Sequence, residues 1–176
     1  MKSAADAVFT IVHVATAVLG FGAVAMTGVQ ALIARRAPAA SSSARYFKPG
    51  LNWVALSLLL TPLFGAAIEV MNGYPDVHQL WPWLALAIWI VAGAVGLIVH
   101  WPAERSIQRL LPAVAAEVAV PARPTAPPVP SVAPISTFPG GELNALDKAC
   151  LAAAASSAVM VLAFLGALVV MVVQPH

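Results

Sequence analysis

The chain has 176 residues, of which 61% are hydrophobic and 9% charged, with a mean hydropathy of +0.89. That is too apolar for a water-soluble domain of this length and excludes a soluble enzyme or a nucleic-acid-binding module, despite a formal net charge of +2. One cysteine, Cys150, excludes an intramolecular disulfide and a thiol-based metal site.

Four runs carry no charged side chain: 7–34, 49–68, 77–103 and 149–176. Each reaches or exceeds the roughly 20 residues a helix needs to cross about 30 Å of hydrocarbon. Strand-like alternation is missing, which argues against a barrel. The expected fold is all-α, an integral membrane bundle of four transmembrane helices near 7–33, 50–71, 80–100 and 147–173.

Eight of the nine basic residues fall between these runs: Arg35, Arg36, Arg45 and Lys48 after the first, and Arg105, Arg109, Arg123 and Lys148 after the third. The positive-inside rule makes both loops cytoplasmic and puts both termini outside. Residues 1–112 then hold three transmembrane helices and a short cytoplasmic amphipathic helix, 113–141 an Ala/Pro-rich cytoplasmic strap, and 142–176 the fourth transmembrane helix.

In the first helix Lys2 precedes the apolar run and Ala23-Val24-Ala25 resembles a signal-peptidase site. The run is longer than the ~7–15 residues of a signal h-region, and Arg35-Arg36 closes it like a stop-transfer flank, so a permanent span is expected. Asp6, Thr10, His13, Thr16, Gly20, Ala23, Thr27 and Gln30 recur at spacings of three and four. Such a polar and small stripe faces other helices, where backbones approach closely and hydroxyls find partners.

The second helix carries Thr61-Pro62 near its middle, where proline removes a hydrogen bond and bends the helix. Asn72-Gly73-Tyr74-Pro75-Asp76 is turn-like and predicts an antiparallel hairpin with the third helix. Trp81, Trp83 and Tyr74 at one end and Trp53 and Trp101 at the other match aromatic belts. In the third helix Ala92-Gly93-Ala94-Val95-Gly96 supplies a small-xxx-small contact.

Trp101-Pro102 is expected to end that helix. Ile107, Leu110 and Leu111 against Glu104, Arg105, Gln108 and Arg109 then predict a short amphipathic helix on the cytoplasmic surface. The strap follows, with Pro121, Pro124, Pro127, Pro128, Pro130, Pro134 and Pro139. In polyproline II geometry its 19 residues from Pro121 to Pro139 reach roughly 60 Å, more than neighbouring helices require, which points to a cytoplasmic protein surface as its partner. The fourth helix carries Ala152 to Ala158, a smooth face for close packing.

Candidate chemistry is sparse. Asp6 and His13 share a face of the first helix, and Glu69 at the outer end of the second can approach it, giving a polar intramembrane cluster. Haem needs two ligands at matching depth, and His13, His78, His100 and His176 supply no such pair. Asp6, Glu69, Asp76 and His78 lack a diagnostic metal spacing. Nucleophile and phosphate-loop motifs are absent, so no cofactor and no enzymatic activity are expected.

His13 followed by Gly20 and Gly22, the Arg35-Arg36 exit, Pro49-Gly50-Leu51, and Trp83 to Pro102 leading into Arg105 carry a resemblance. Over residues 5–112 the chain resembles a set of small bacterial four-helix integral membrane proteins, distantly similar to the membrane domain of copper-resistance D-type proteins. The resemblance implies the fold and no activity, since the copper-type methionine and histidine sets are missing. The Ala- and Pro-rich composition looks like that of high-GC actinobacterial chains, among which small helical subunits decorate respiratory supercomplexes.

These readings lead to a multi-pass protein of the bacterial plasma membrane, a non-catalytic accessory subunit of a respiratory electron-transfer supercomplex. Its partners would be other integral membrane subunits, lipids and a cytoplasmic surface under residues 113–141, with no nucleic acid. The alternative is a small redox or metal-handling protein built on Asp6, His13 and Glu69.

Overall fold

The computed structural model describes residues 4–72, 80–119 and 141–173. The prolines of the strap, together with Tyr74, Asp76, His78 and His176, lie outside the described residues. All described secondary structure is helical: α1 (Ala4–Arg36), α2 (Ser41–Tyr46), α3 (Trp53–Leu56), α4 (Leu60–Met71), α5 (Leu80–Val95), α6 (Trp101–Ala119) and α7 (Gly141–Val172). Four helical segments are long and apolar enough to cross a membrane: Ala4–Arg36, Trp53–Met71, Leu80–Val118 and Gly141–Val172.

The second span is not one regular helix. A 3-10 turn, Ser57–Leu59, separates α3 from α4. It lies just ahead of Pro62, whose ring crowds the carbonyl four residues back and whose nitrogen donates nothing, so the irregularity appears where the sequence places it. Asn52 opens α3, its side chain accepting from the Ala55 amide at 3.2 Å.

The third span departs from expectation. Trp101-Pro102 does not end it: a π-turn, Gly96–His100, leads straight into α6, which runs to Ala119 and carries Pro112 inside. Pro102 sits in the first turn after the π-turn, where the ladder is already rearranged and a missing N–H costs little. Residues 113–119 of the expected strap are therefore helical, and Val114 is fully buried. The segment 103–111 is amphipathic, but its apolar face meets protein rather than a lipid surface. Ile107, Leu111 and Val114 pack with Ala31 and Ala34 of α1, Phe47, and Leu146, Ala149, Cys150 and Ala153 of α7.

This cluster is the larger of the two apolar cores, and it lies at the basic end of the bundle. The reason is physical. In lipid, apolar side chains gain little by leaving hydrocarbon for one another's company, so many stay exposed, among them Leu19, Met26, Ile90, Ile98, Leu162 and Val169. Beyond the hydrocarbon the same residue types must be covered. At 1.5 Å per residue the 33 residues of α1 extend about 50 Å, well past a hydrocarbon core of about 30 Å.

Within the bundle α1 is central and packs most extensively on α7. Its crossing point with α7 is Gly28, where an added Cβ would stand 2.6 Å from Ser157 Cβ. Its crossing with the second span is Gly20, where a Cβ would stand 2.8 Å from the Leu58 backbone nitrogen. At the basic end Arg35 of α1 pairs with Asp147 of α7. Among the described residues the second and third spans, read from the sequence as an antiparallel hairpin, pack chiefly on α1 and α7 respectively, and a cleft opens between them.

Candidate functional site

The expected cluster is distributed along the seam between α1 and α4. Phe9 meets Phe64 with ring centroids 6.0 Å apart, the His13 ring lies against Gly65, and Thr16 meets Ser57, so the second span runs antiparallel to α1. His13 Nδ1 donates to the Thr61 carbonyl at 2.8 Å, which fixes the proton on Nδ1 because a carbonyl can only accept. Ser57 Oγ donates to the Thr16 carbonyl at 3.1 Å, and Thr61 Oγ1 to Thr16 Oγ1 at 3.4 Å. Asp6 is buried in the first turn of α1, where its carbonyl accepts from Thr10 Oγ1 at 2.9 Å, and Glu69 is half-buried on α4. Among the described residues no three His, Cys, Asp or Glu side chains gather to hold a metal ion, so Asp6, His13 and Glu69 do not form one ligand set.

The structure instead assembles polar groups where the sequence reading placed none. A cavity of about 90 Å³ lies in the cleft between the second and third spans, with Phe21 and Val24 of α1 and Met160 of α7 as its floor. One wall is Asn52, Ala55, Leu56, Leu58 and Leu59; the other follows helical spacing along Trp89, Gly93, Gly96, His100 and Glu104. Trp89 lies about 14 Å from Leu80 along the helix and His100 about 30 Å, so the cleft occupies the half of the membrane nearer the basic end.

Both ends of the cleft are bridged. Trp89 Nε1 donates to the Leu58 carbonyl at 3.3 Å, and Gln108 Nε2 to the Gly50 carbonyl at 3.4 Å. Just inside the second bridge, Glu104 is buried and the Asn52 side chain stands beside its carboxyl. Tyr46 stands beside them, its hydroxyl 2.7 Å from Thr27 Oγ1 and 3.2 Å from the Ala23 carbonyl. Thr27 Oγ1 donates to that carbonyl at 3.0 Å, which leaves Tyr46 as a donor. Burial pushes the Tyr46 phenol above its ordinary pKa of 10.0, the Glu104 charge adds to the rise, and the bonds to Thr27 and Asn52 act the other way.

His100 is 4% exposed, and its protons can be assigned by counting donors. Nδ1 lies 3.1 Å from Ser156 Oγ and 3.5 Å from Ser157 Oγ. Both hydroxyls spend their protons elsewhere, Ser156 on the Ala152 carbonyl at 2.7 Å and Ser157 on the Val24 carbonyl at 2.9 Å. The serine oxygens therefore accept from His100 Nδ1–H, and Nε2 of the neutral ring is a bare acceptor. It is buried and has no partner among the described residues.

The sequence reading weighed His100 only as a haem ligand. The available signal was its spacing: Glu104 four residues on, and Gly93 and Gly96 behind it on the same face. No protein-family model, curated protein or solved structure matches the chain.

Proposed function

We propose that this chain is a non-catalytic accessory subunit of a larger assembly of the bacterial plasma membrane, with a respiratory electron-transfer supercomplex as its host. Its helices dock laterally on other membrane subunits, and the proline-rich segment lies across a cytoplasmic surface. The carrying observation is a pair of helical glycines with no packing partner among the described residues. A Cβ added at Gly22 of α1 or at Gly166 of α7 would meet nothing within 4 Å.

Glycine in a helix interior is about 1 kcal/mol less favourable than alanine, and in membrane helices its use is to let another backbone approach. Gly166 lies in a shallow groove with Ala163 of α7 and Ala87, Ile88 and Val91 of α5, a surface small enough in relief to seat a partner helix. The polar groups of the α1–α4 seam also fit a bracing role: His13, Thr16, Ser57 and Thr61 bond to one another and to backbone across the seam. The reading of Asp6, His13 and Glu69 as a redox or metal-handling centre draws no support from this geometry.

The test is purification of the full chain from its native membrane in a gentle detergent, with mass spectrometry of co-purifying chains and an optical spectrum. Gly22→Leu and Gly166→Leu should release defined membrane subunits while helix content is kept and the thermal midpoint is not lowered. Replacing residues 121–141 with a Gly/Ser linker should weaken retention with all four helices inserted. A chain that purifies alone from wild-type membranes, or retention indifferent to all three changes, would overturn the proposal.

A further inference from the structure

We infer that the cleft between the second and third spans binds a neutral membrane amphiphile with a flat, hydroxylated headgroup, of the hydroquinone class with an isoprenoid tail, whose hydroxyl donates to His100 Nε2. Each part of the site contributes one element of that chemistry. His100 lines a cavity whose other residues are chiefly apolar, and nothing among the described residues donates to its buried Nε2. A buried acceptor left unmade is costly, so the site favours an occupant that brings an O–H, and an oxidised or etherified headgroup offers none.

One turn toward the basic end, the buried Glu104 carboxyl and the Asn52 amide also line the cavity, within reach of a second polar group on the same ring. The headgroup is uncharged because no Lys or Arg is among the residues lining the cavity to meet a phosphate; Arg105 lies over the Trp101 ring, 5.2 Å from its centroid.

Shape selects a flat headgroup. Gly93 leaves the third-span wall open beside Trp89, between Ala92 and Leu97, and Phe21 and Trp89 supply aromatic faces. From Trp89 to Glu104 the wall runs about 22 Å, comparable to one leaflet with its headgroup region, so the polar end sits at the boundary and the tail follows the apolar wall inward. The cavity of about 90 Å³ takes the ring, and the tail leaves between the two spans, which do not close on one another.

The experiment is native mass spectrometry of the full chain in non-ionic detergent, titrated anaerobically with decylhydroquinone, with the matching decylquinone and with a dioctanoylglycerol. The hydroquinone should bind with a stoichiometry of one, and the quinone about tenfold more weakly, the factor expected when one buried hydrogen bond is lost. His100→Ala should bring the hydroquinone down to the quinone's affinity. That variant also strips a bond from α7, so Gly93→Leu provides the second arm. A side chain there has room, the nearest atom to its Cβ being Trp89 Cη2 at 3.9 Å, and it fills the cleft while leaving every polar partner in place. It should abolish binding with the thermal midpoint of the unliganded chain retained. Equal affinity for hydroquinone and quinone, equal affinity for the glycerolipid, binding that survives Gly93→Leu, or no binding of any probe would each overturn the inference.

Discussion

Trp89 and Leu58 are joined by a hydrogen bond that a third residue makes necessary. Trp89 Nε1 donates at 3.3 Å to the Leu58 carbonyl, the group that the amide of residue 62 would take in a regular helix, and residue 62 is proline. In hydrocarbon no water can serve that carbonyl, so the indole of the third span completes the ladder of the second. The two spans are held at a fixed separation by a bond that exists because one of them is broken.

This pairing predicts a specific rescue. Trp89→Phe should destabilise the chain by about 1 kcal/mol, since the Leu58 carbonyl loses its indole donor in an apolar setting and keeps only a contact from the Leu60 amide. In a Pro62→Ala background the amide of residue 62 can serve Leu58 itself, and Trp89→Phe should cost markedly less. Denaturation in mixed micelles of the wild type, both single variants and the double variant reads the coupling directly. Equal costs of Trp89→Phe in both backgrounds would show that the indole bond has no such role.

A second prediction separates two glycines of the same helix. Gly20→Ala brings a methyl to 2.6 Å from Leu58 Cγ and 2.8 Å from its backbone nitrogen, and the backbone cannot step aside cheaply, so a loss of about 1–3 kcal/mol is expected. Gly22→Ala meets nothing within 4 Å and should stabilise the isolated chain by up to about 1 kcal/mol through helix propensity alone. Thermal unfolding of the two variants side by side decides it.

The four spans were legible in the sequence because a run without charge and long enough to cross hydrocarbon has few other fates. The irregularity before Pro62 was legible for the same kind of reason, a local rule about a missing amide. Pro102 shows where such rules stop. Whether a proline ends a helix depends on whether the ladder behind it has already shifted, and the π-turn over Gly96–His100 has no distinctive composition. The amphipathic segment after it was visible as a pattern, but what covers Ile107 and Leu111 was set by how far α1 and α7 outrun the membrane. At the site, His13 drew attention because it is mid-helix, whereas His100 acquires its meaning from Ser156 and Ser157, which lie more than fifty residues away and whose donor bonds decide its tautomer.

Tyr46 carries the pH dependence. Its phenol must donate, and burial raises its pKa above 10.0, so the native state favours the protonated form. Below pH 10 folded and unfolded chains both hold the proton and its stabilisation is complete. Above that value the unfolded chain ionises first, and the contribution is lost as pH rises through the folded pKa. The denaturation midpoint should therefore fall more steeply above pH 10 in the wild type than in Tyr46→Phe, which should be about 1 kcal/mol less stable at neutral pH. Parallel profiles for the two proteins would remove Tyr46 from the account.

Orientation follows from where the charges gather. Arg35 and Arg36 close α1, Arg45 lies in α2, Arg105 and Arg109 lie on α6 and Lys148 near the start of α7, so the folded chain collects them at the end that also carries the larger apolar core. A polybasic end resists translocation, which predicts that cap in the cytoplasm and the end marked by Asn72 outside. The chain is suited to a direct check because its one native cysteine, Cys150, is fully buried and gives no background. Ser42 and Asn72 are both exposed, so cysteine at either site is open to reagent wherever reagent can reach. In intact cells an impermeant maleimide should label Asn72→Cys and leave Ser42→Cys unmodified, and permeabilisation should make Ser42→Cys reactive. The opposite pattern would turn the protein over in the membrane, expose the basic cap to the outside, and move the His100 cleft from the inner leaflet to the outer.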